Sequence, residues 1–227
     1  MGTRARFTSV VIPAYQARST LQELVARLRH SMRDLHIIVV DDGSTDDTTE
    51  LAAAMGTIVL RHEQNRGKGA ALQTGFDFAK KQTDVDFVFT MDADLQHQPE
   101  EMQNFIRTQQ QTGAEIVIGW RERIGTHMPI HRIISNTLTS KLVSLKTGIK
   151  MRDSQCGFRL IRRNVLEKIQ LESCGFEAET EFLIKAARHG FKIEFVPIHT
   201  VYGTEKSYMT HWKTTMNFLR VLLQEYA

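Results

Sequence analysis

The stretch FVFTMDAD, residues 87–94, places two aspartates directly after an apolar β-strand pattern. Successive side chains of a strand alternate in direction, so Asp92 and Asp94 can point into one cleft. Paired carboxylates suit Mg²⁺ or Mn²⁺, which complete their coordination with water and substrate phosphates. The pattern therefore predicts a strand that ends at a metal site, where Gln96 could add a carbonyl oxygen. The alternative is a turn capped by Asp94, with Asp92 solvated.

Strand and helix patterns alternate on both sides of this stretch. Apolar, β-branched runs predict four more strands, at residues 9–13, 36–41, 57–60 and 115–119. Helical spacing of apolar residues predicts helices between them, and Thr20 and Glu23 fit a capping box at the start of the first. Continuous apolar strands alternating with helices predict an α/β fold, with a mostly parallel, Rossmann-like sheet flanked by helices on both faces.

The second half of the chain has weaker periodicity. It predicts a helix with interleaved basic residues near 130–143, a turn and strand at 154–163, a helix at 178–189, a strand at 192–198 and an amphipathic helix at 208–226. No internal repeat or linker composition interrupts the chain. We therefore expect a single domain over residues 1–227.

Composition excludes several classes of protein. Of the 227 residues, 41% are hydrophobic and 24% charged, which is typical of a globular protein and not of a disordered one. The two cysteines, Cys156 and Cys174, are expected to be free thiols. No run approaches the ~20 apolar residues that cross a bilayer, and no signal peptide pattern is visible.

Basic residues are concentrated in one segment. Residues 121–163 contain ten Lys or Arg and two acidic residues, a net charge of +8, whereas the whole chain carries +3. Such a local excess predicts an anionic partner: nucleic acid, a phosphorylated lipid or a membrane surface. Between 121 and 163 only Phe158 is aromatic, and nucleic-acid-binding proteins use interleaved aromatics for stacking. We therefore expect no nucleic acid partner.

Two further motifs follow predicted strands. Asp41-Asp-Gly-Ser44 can accept hydrogen bonds from a base or ribose, or it can form an Asx turn before a helix. Asn65-Arg-Gly-Lys-Gly69 precedes a helix, and its glycines would let backbone N–H groups approach a phosphate. Because ligands bind beyond the carboxyl ends of parallel strands, these motifs and the paired aspartates predict one site.

The motifs together resemble family 2 glycosyltransferases, which have the GT-A fold. The resemblance spans residues 8–207 and is carried, in order, by VVIPAYQ (10–16), IIVVDDGSTDDT (37–48), NRGKGAALQTGF (65–76), FTMDADLQHQPEEM (89–102), GWR (119–121) and DSQCGFRLIRR (153–163). It is strongest to the dolichyl- and polyprenyl-phosphate sugar synthases, such as dolichol-phosphate mannose synthase.

This resemblance implies an inverting transfer of a hexose, mannose or glucose, from a GDP- or UDP-linked sugar to an isoprenoid lipid phosphate. It implies a divalent cation, Mg²⁺ or Mn²⁺, on Asp92, Asp94 and Gln96, with Asp94 and Arg121 catalytic. The other implied roles are nucleotide binding by Pro13, Tyr15, Asp41, Asp42, Lys68, Asp92, Ala93 and Lys206, acceptor-phosphate binding by Arg121, Arg132 and Ser135, and donor-diphosphate binding by Arg159.

The same resemblance places the protein at a membrane. We expect a peripheral enzyme at the cytosolic face, with residues 121–150 as a basic amphipathic segment that meets the acceptor and the membrane surface, or a membrane-protein partner. A second interpretation is a family 2 enzyme that glycosylates a soluble sugar or glycan hydroxyl. Such an enzyme needs a general base, for which Glu179 or Glu181 are the candidates.

Overall fold

The computed structural model describes residues 7–82, 84–122, 130–201 and 211–226 of the chain. The strands are β1 (Phe7–Ala14), β2 (Leu35–Asp41), β3 (Ile58–Arg61), β4 (Val85–Thr90), β5 (Ile116–Arg121), β6 (Arg159–Arg162) and β7 (Ile193–Ile198). The helices are α1 (Arg18–Ser31), α2 (Thr48–Ala54), α3 (Lys68–Lys81), α4 (Met102–Thr112), α5 (Ile130–Thr147), α6 (Arg163–Lys168), α7 (Ala178–Arg188) and α8 (His211–Leu223), with a 3₁₀ turn at Pro99–Glu101 before α4.

The described strands form one sheet in the order β3-β2-β1-β4-β6-β5-β7. All neighbouring pairs are parallel except those of β6, which runs antiparallel to both β4 and β5. In the parallel part, Val10 of β1 is in register with Ile37 of β2 and with Phe89 of β4. The prediction of a mostly parallel sheet is thus confirmed.

The core lies on both faces of this sheet. The central residues of β1 and β2 are buried on both sides, which explains why their sequences are continuous apolar runs. The predicted inner face of α1 is confirmed, since Leu21, Leu24, Val25 and Leu28 are buried. On the β4 side, Phe105 and Phe158 pack with their ring centroids 4.2 Å apart.

One local prediction is wrong. Helix α1 begins at Arg18, before the predicted capping box, because the N–H of Ala17 donates to Oγ1 of Thr48 (2.9 Å) and fixes the chain there. Thr20 donates its hydroxyl to the carbonyl of Ala17 and caps no N–H group. The predicted turn and strand at 154–163 are confirmed, because a loop at residues 154–158 leads into strand β6 at Arg159–Arg162.

None of the helices in the described part of the chain combines the length and apolar character needed to cross a membrane.

Candidate active site

The carboxyl ends of β1, β2 and β4 lie side by side at one edge of the sheet. The N–H of Asp42 donates to the carbonyl of Ala14 (2.8 Å), and the N–H of Met91 donates to that of Val11 (3.2 Å). The chain segments that follow β2 and β4 are therefore held on either side of β1. This arrangement brings the 41–44 motif and the paired aspartates to one edge.

A lysine ammonium group lies at this edge. Lys68, the first residue of α3, places Nζ 2.6 Å from Oδ1 of Asp92 and 2.7 Å from Oε1 of Glu179. Burial alone would lower the pKa of Lys68, but the two carboxylates outweigh it and raise that pKa above its usual value. Burial would likewise raise the pKa of Asp92, yet the Lys68 ammonium outweighs it and holds that pKa low. Lys68 and Asp92 are therefore both charged at neutral pH.

The other side of the Asp92 carboxylate faces His97 and Gly157. Nε2 of the buried His97 is 3.9 Å from Oδ2 of Asp92, and its ring packs on Phe158. Burial lowers the pKa of His97 to about 4 despite the opposing effect of Asp92, so this imidazole is neutral at pH 7. A Cβ atom on Gly157 would be 2.7 Å from Oδ2 of Asp92, so only glycine leaves room for this carboxylate.

The turn after Asp92 holds the other predicted metal ligands. Oδ1 of Asp94 accepts the N–H of Gln96 (3.1 Å), and Leu95 between them has the left-handed φ of 61°. Asp94 thus caps a turn. Carboxylate and amide oxygens are ligands of the kind that Mg²⁺ and Mn²⁺ use, and joint metal binding by Asp92, Asp94 and Gln96 stays a prediction. Within the described ranges, no three His, Cys, Asp or Glu side chains are grouped to hold a metal.

Asp41 and Asp42 are buried and bonded within the protein. The carboxylate of Asp41 accepts the N–H of Ser44 (2.9 Å) and the hydroxyl of Thr49, which closes the turn between β2 and α2. Asp42 contacts Nδ1 of His62 (2.7 Å) and accepts backbone N–H groups of the loop before α3. Both residues therefore shape the rim of the site, and their direct contact with a nucleotide stays a prediction.

The glycines at the start of α3, Gly67 and Gly69, do not form the predicted phosphate loop. The N–H groups of Gly69 and Ala70 donate to the carbonyl of Cys174 (2.7 and 3.2 Å). A side chain on Gly67 or Gly69 would clash with the backbone of residues 173–174. These glycines thus allow close packing of two loops, and the expectation that these helix N-terminal amides bind phosphate is wrong. Lys68 is the group that this loop presents to the site.

Arg121 and Arg159, two of the three arginines predicted to bind phosphate, have different surroundings. Arg121, at the end of β5, pairs with the buried Asp153 through Nε (2.7 Å) and Nη2 (2.9 Å), which fixes the plane of its guanidinium group. Arg159 is buried and donates to the carbonyls of Cys156, Ser154 and Glu179. The structure thus gives Arg159 an interior role, in which it holds the start of α7. Its contact with a donor diphosphate stays a prediction.

Among the remaining predicted site residues, the structure describes the side chains of Pro13, Tyr15, Ala93 and Ser135. Pro13 lies in β1, Tyr15 follows it and is 36% exposed, and Ala93 is buried between the two aspartates. Ser135 is exposed on α5. Arg132 belongs to the same helix, but its side chain lies outside the described part of the chain, as does the whole of Lys206.

Sequence reasoning weighed Glu179 and Glu181 only as candidate bases, and the structure separates them. Glu181 is fully buried and accepts the N–H groups of Glu172 and Ser173, both at 2.8 Å. Glu179 instead reaches the site through Lys68. The buried position of Glu179 could have been predicted from the sequence. Glu179 precedes the apolar Phe182 and Leu183 by three and four residues, and this spacing places it on the buried face of α7.

Helices α5 and α8 carry a large share of the exposed apolar side chains. They are Ile130, Ile134, Leu138 and Leu145 on α5, and Met216, Leu219 and Leu223 on α8. The spacing places those of each helix on one stripe, and α8 contacts α5. Neither helix contains an acidic residue, whereas both contain basic ones. The stripes are thus apolar surfaces in basic surroundings.

The fold and this site define a glycosyltransferase with the GT-A fold. The sequence pattern of glycosyl transferase family 2 matches residues 9–170, so the chain belongs to this family and is an enzyme.

Relatives and solved structures agree with this assignment. The chain is 32% identical to polyprenol monophosphomannose synthase of Mycolicibacterium smegmatis, over 84% of this chain and 76% of the relative. It is 30% identical to UDP-N-acetylglucosamine–dolichyl-phosphate N-acetylglucosaminyltransferase of Methanococcus voltae, over 85% of each chain. Among solved structures, glucosyl-3-phosphoglycerate synthase from Mycobacterium tuberculosis, in complex with Mn²⁺, UDP-glucose and phosphoglyceric acid, has a similar fold. Its TM-score is 0.74 at 24% identity, with 96% of this chain and 79% of that chain covered.

Proposed function

We propose that this protein transfers a hexose, mannose or glucose, from a GDP- or UDP-linked sugar to a polyprenyl or dolichyl phosphate, with inversion at the anomeric carbon. The observation that carries the proposal is the acid-free helix α5, which follows the site strand β5 and exposes an apolar stripe. An acceptor with an anionic head and an apolar tail matches those two properties. The two relatives named for polyprenol and dolichyl phosphate support it.

The donor is expected at the carboxyl ends of β1, β2 and β4. Asp92, Asp94 and the Gln96 amide would hold Mg²⁺ or Mn²⁺, which when bound offsets negative charge on the leaving diphosphate. Lys68 adds a second positive charge beside Asp92. The nucleotide would lie against Pro13, Tyr15, Asp41, Asp42, Lys68, Asp92, Ala93 and Lys206, and Arg159 would support the diphosphate from beneath.

The acceptor phosphate would approach from the β5 side. Arg121, Arg132 and Ser135 would bind it, and the pair with Asp153 holds the Arg121 guanidinium in a fixed orientation for this contact. A phosphate monoester is anionic near pH 7, because its second pKa is about 6, so it can attack the anomeric carbon without a strong general base. Catalysis then depends on positioning and electrostatics, with Asp94 nearest the reacting carbon.

We further propose that the stripes of α5 and α8 rest on an anionic membrane surface. Amphipathic helices with basic residues beside an apolar stripe bind in the interface of such membranes. This position would present the acceptor's phosphate to the site while its chain stays in the bilayer. A membrane-protein partner that covers the same stripes is the competing explanation.

A soluble acceptor remains the second candidate, and the fold shared with glucosyl-3-phosphoglycerate synthase is what favours it. The contacts of the two candidate bases, Glu179 and Glu181, argue against a hydroxyl acceptor. Glu181 is enclosed by loop N–H groups and Lys185, and Glu179 is 2.7 Å from the Lys68 ammonium. A carboxylate paired with an ammonium group is a poor general base.

The test compares three acceptors with GDP-mannose and UDP-glucose as donors: a short-chain polyprenyl phosphate, the matching polyprenol and phosphoglyceric acid. We expect transfer to the polyprenyl phosphate alone. Equal transfer to the alcohol, or transfer to the soluble acid only, would show that the acceptor class is wrong while the family and the fold stand.

A further inference from the structure

The Lys68 ammonium group lies where the paired aspartates would receive a cation. Its two ionic contacts, 2.6 Å to Asp92 and 2.7 Å to Glu179, join residues from α3, the end of β4 and α7. The side chain of Lys68 is 14% exposed and that of Glu179 is 5% exposed. These are therefore largely desolvated contacts and not a surface ion pair.

The charges at this point are not balanced. Two carboxylates, those of Asp92 and Glu179, face a single ammonium group, which leaves one negative charge. Without Lys68, the carboxylates of Asp92 and Glu179 would repel each other across the space of one ammonium group. Lys68 therefore stabilises the site before a metal arrives.

A divalent cation on Asp92 would compete with this ammonium group. Magnesium binds carboxylate oxygen at about 2.1 Å, and Nζ of Lys68 already lies 2.6 Å from Oδ1 of Asp92. The two cations would therefore repel each other strongly across one carboxylate. Lysine has a flexible four-carbon stem, so the ammonium can withdraw from Asp92 while its second contact, Glu179, remains.

We infer that Lys68 is the resident counter-ion of Asp92, that it yields this carboxylate to the incoming divalent cation, and that Glu179 then retains the ammonium at the edge of the site. The inference rests on the proposed function, because it assumes that the metal enters at the paired aspartates. Glu179 is in this view a positioning residue that acts through Lys68. The retained ammonium adds a positive charge beside the diphosphate of the donor.

The test measures Mn²⁺ binding to the enzyme alone, by electron paramagnetic resonance, with no donor or acceptor present. Lys68→Met should bind Mn²⁺ about tenfold more tightly, the equivalent of about 1.4 kcal/mol. Glu179→Gln should weaken binding about threefold or more, because Lys68 then stays on Asp92. In the double variant the effect of Glu179→Gln should disappear, since there is no ammonium left to retain. The control Arg66→Met removes the same charge two residues before Lys68 and should change the affinity less than twofold.

Lys68→Gln serves as a second variant, and circular dichroism verifies that each variant is folded. Unchanged or weaker Mn²⁺ binding in both Lys68 variants, purely additive effects in the double variant, or binding that Asp92→Asn leaves intact would each overturn the inference. Sugar transfer is assayed separately. If the enzyme transfers sugar to polyprenyl phosphate but the Lys68 and Glu179 substitutions have additive effects on Mn²⁺ affinity, this inference alone is rejected. If their effects on Mn²⁺ affinity are coupled but no sugar reaches polyprenyl phosphate, the proposed acceptor alone is rejected.

Discussion

Gly157 lies directly beneath the carboxylate of Asp92, and a Cβ atom at Gly157 would stand 2.7 Å from Oδ2. Its carbonyl oxygen also accepts the hydroxyl of Thr90 (2.6 Å), the last residue of β4 and two residues before Asp92. The loop before β6 therefore sets the position of the first aspartate of the pair.

Gly157→Ala is expected to push this carboxylate out of position. Displacement of a reacting group by about 1 Å can cost about 10²-fold in turnover, and overpacking costs about 1–3 kcal/mol of stability. The control is Gly119→Ala. Its added Cβ atom would lie 2.9 Å from Cδ1 of Ile198 and would therefore crowd a flexible side chain. Urea unfolding should show similar destabilisation of the two variants. Steady-state kinetics should show a loss of turnover in Gly157→Ala alone.

Asp94→Asn is expected to lower turnover by at least about 10²-fold, because it removes a charge at the proposed metal site. Wild-type activity should vanish in EDTA and return with Mg²⁺ or Mn²⁺. Asp77→Asn on α3, where Asp77 is half exposed and pairs with Lys80, should be nearly neutral. Full activity in EDTA would contradict the metal role.

Glu181→Gln is expected to destabilise the fold by about 3 kcal/mol at pH 7, because it breaks a buried ion pair with Lys185. Burial alone would raise the pKa of Glu181, but its hydrogen bonds outweigh burial and hold that pKa low. The ionised Glu181 carboxylate therefore contributes its full stabilisation above the ordinary glutamate pKa. The wild type loses this contribution as pH falls through the lowered pKa that Glu181 has in the folded protein.

The variant should consequently lose less stability than the wild type between pH 5 and pH 3 in urea titrations. Its matched control is Glu167→Gln, since Glu167 forms an exposed pair with Arg163 and should cost under ~1 kcal/mol. If Glu181→Gln folds normally but loses all transfer, Glu181 takes part in the chemistry.

Arg132→Ala and Ser135→Ala are expected to raise the KM for lipid phosphate about tenfold, which is the usual worth of one hydrogen bond to a charged group. Binding of the nucleotide sugar, followed by calorimetry, should not change. Lys141→Ala, on the same helix, controls for loss of basic charge. A matching rise in the KM of the donor would contradict the acceptor role.

Ile134→Asp and Leu223→Asp are expected to weaken binding to anionic vesicles about tenfold each, because an apolar contact is lost and a negative charge is added. Wild-type binding should fall with salt, since exposed charges are screened within about 8 Å at physiological ionic strength. The control Gln110→Asp adds the same charge on α4, outside the stripes of α5 and α8. Insensitivity to both lipid charge and salt would favour a protein partner.

The fold was largely predictable because its central strands contain apolar runs that are visible in the sequence. Strands β1, β2 and β4 each contain a continuous apolar run, at residues 10–12, 37–40 and 87–89, and a sheet covered on both faces requires such runs. Strand β6 was harder, because its four residues acquire their place between β4 and β5 only through tertiary pairing. Helix α6 is too short for a periodic signal, and it was missed.

The placement of the candidate site residues was predictable where they follow a strand, and not where it depends on contacts between distant parts of the chain. Asp92 and Asp94 were predicted from their position after β4. The contact between Lys68 and Glu179 joins residues 111 positions apart, and no spacing rule reveals it. The glycines at 67 and 69 were misinterpreted because close approach to a phosphate and close approach to another loop require the same residue.

The loop between α5 and β6 contacts both halves of the proposed reaction. Its Asp153 orients Arg121 on the acceptor side, and its Gly157 supports Asp92 on the donor side, only four residues further along the chain. In the proposed reaction, this short piece of backbone would act as a spacer, and its length would set the gap between the two reactants. An insertion or deletion here would change that gap directly, whereas changes in the outer helices would leave it constant. Related enzymes with acceptors of different size could therefore differ in α5 and α8 and still keep this spacer at a fixed length.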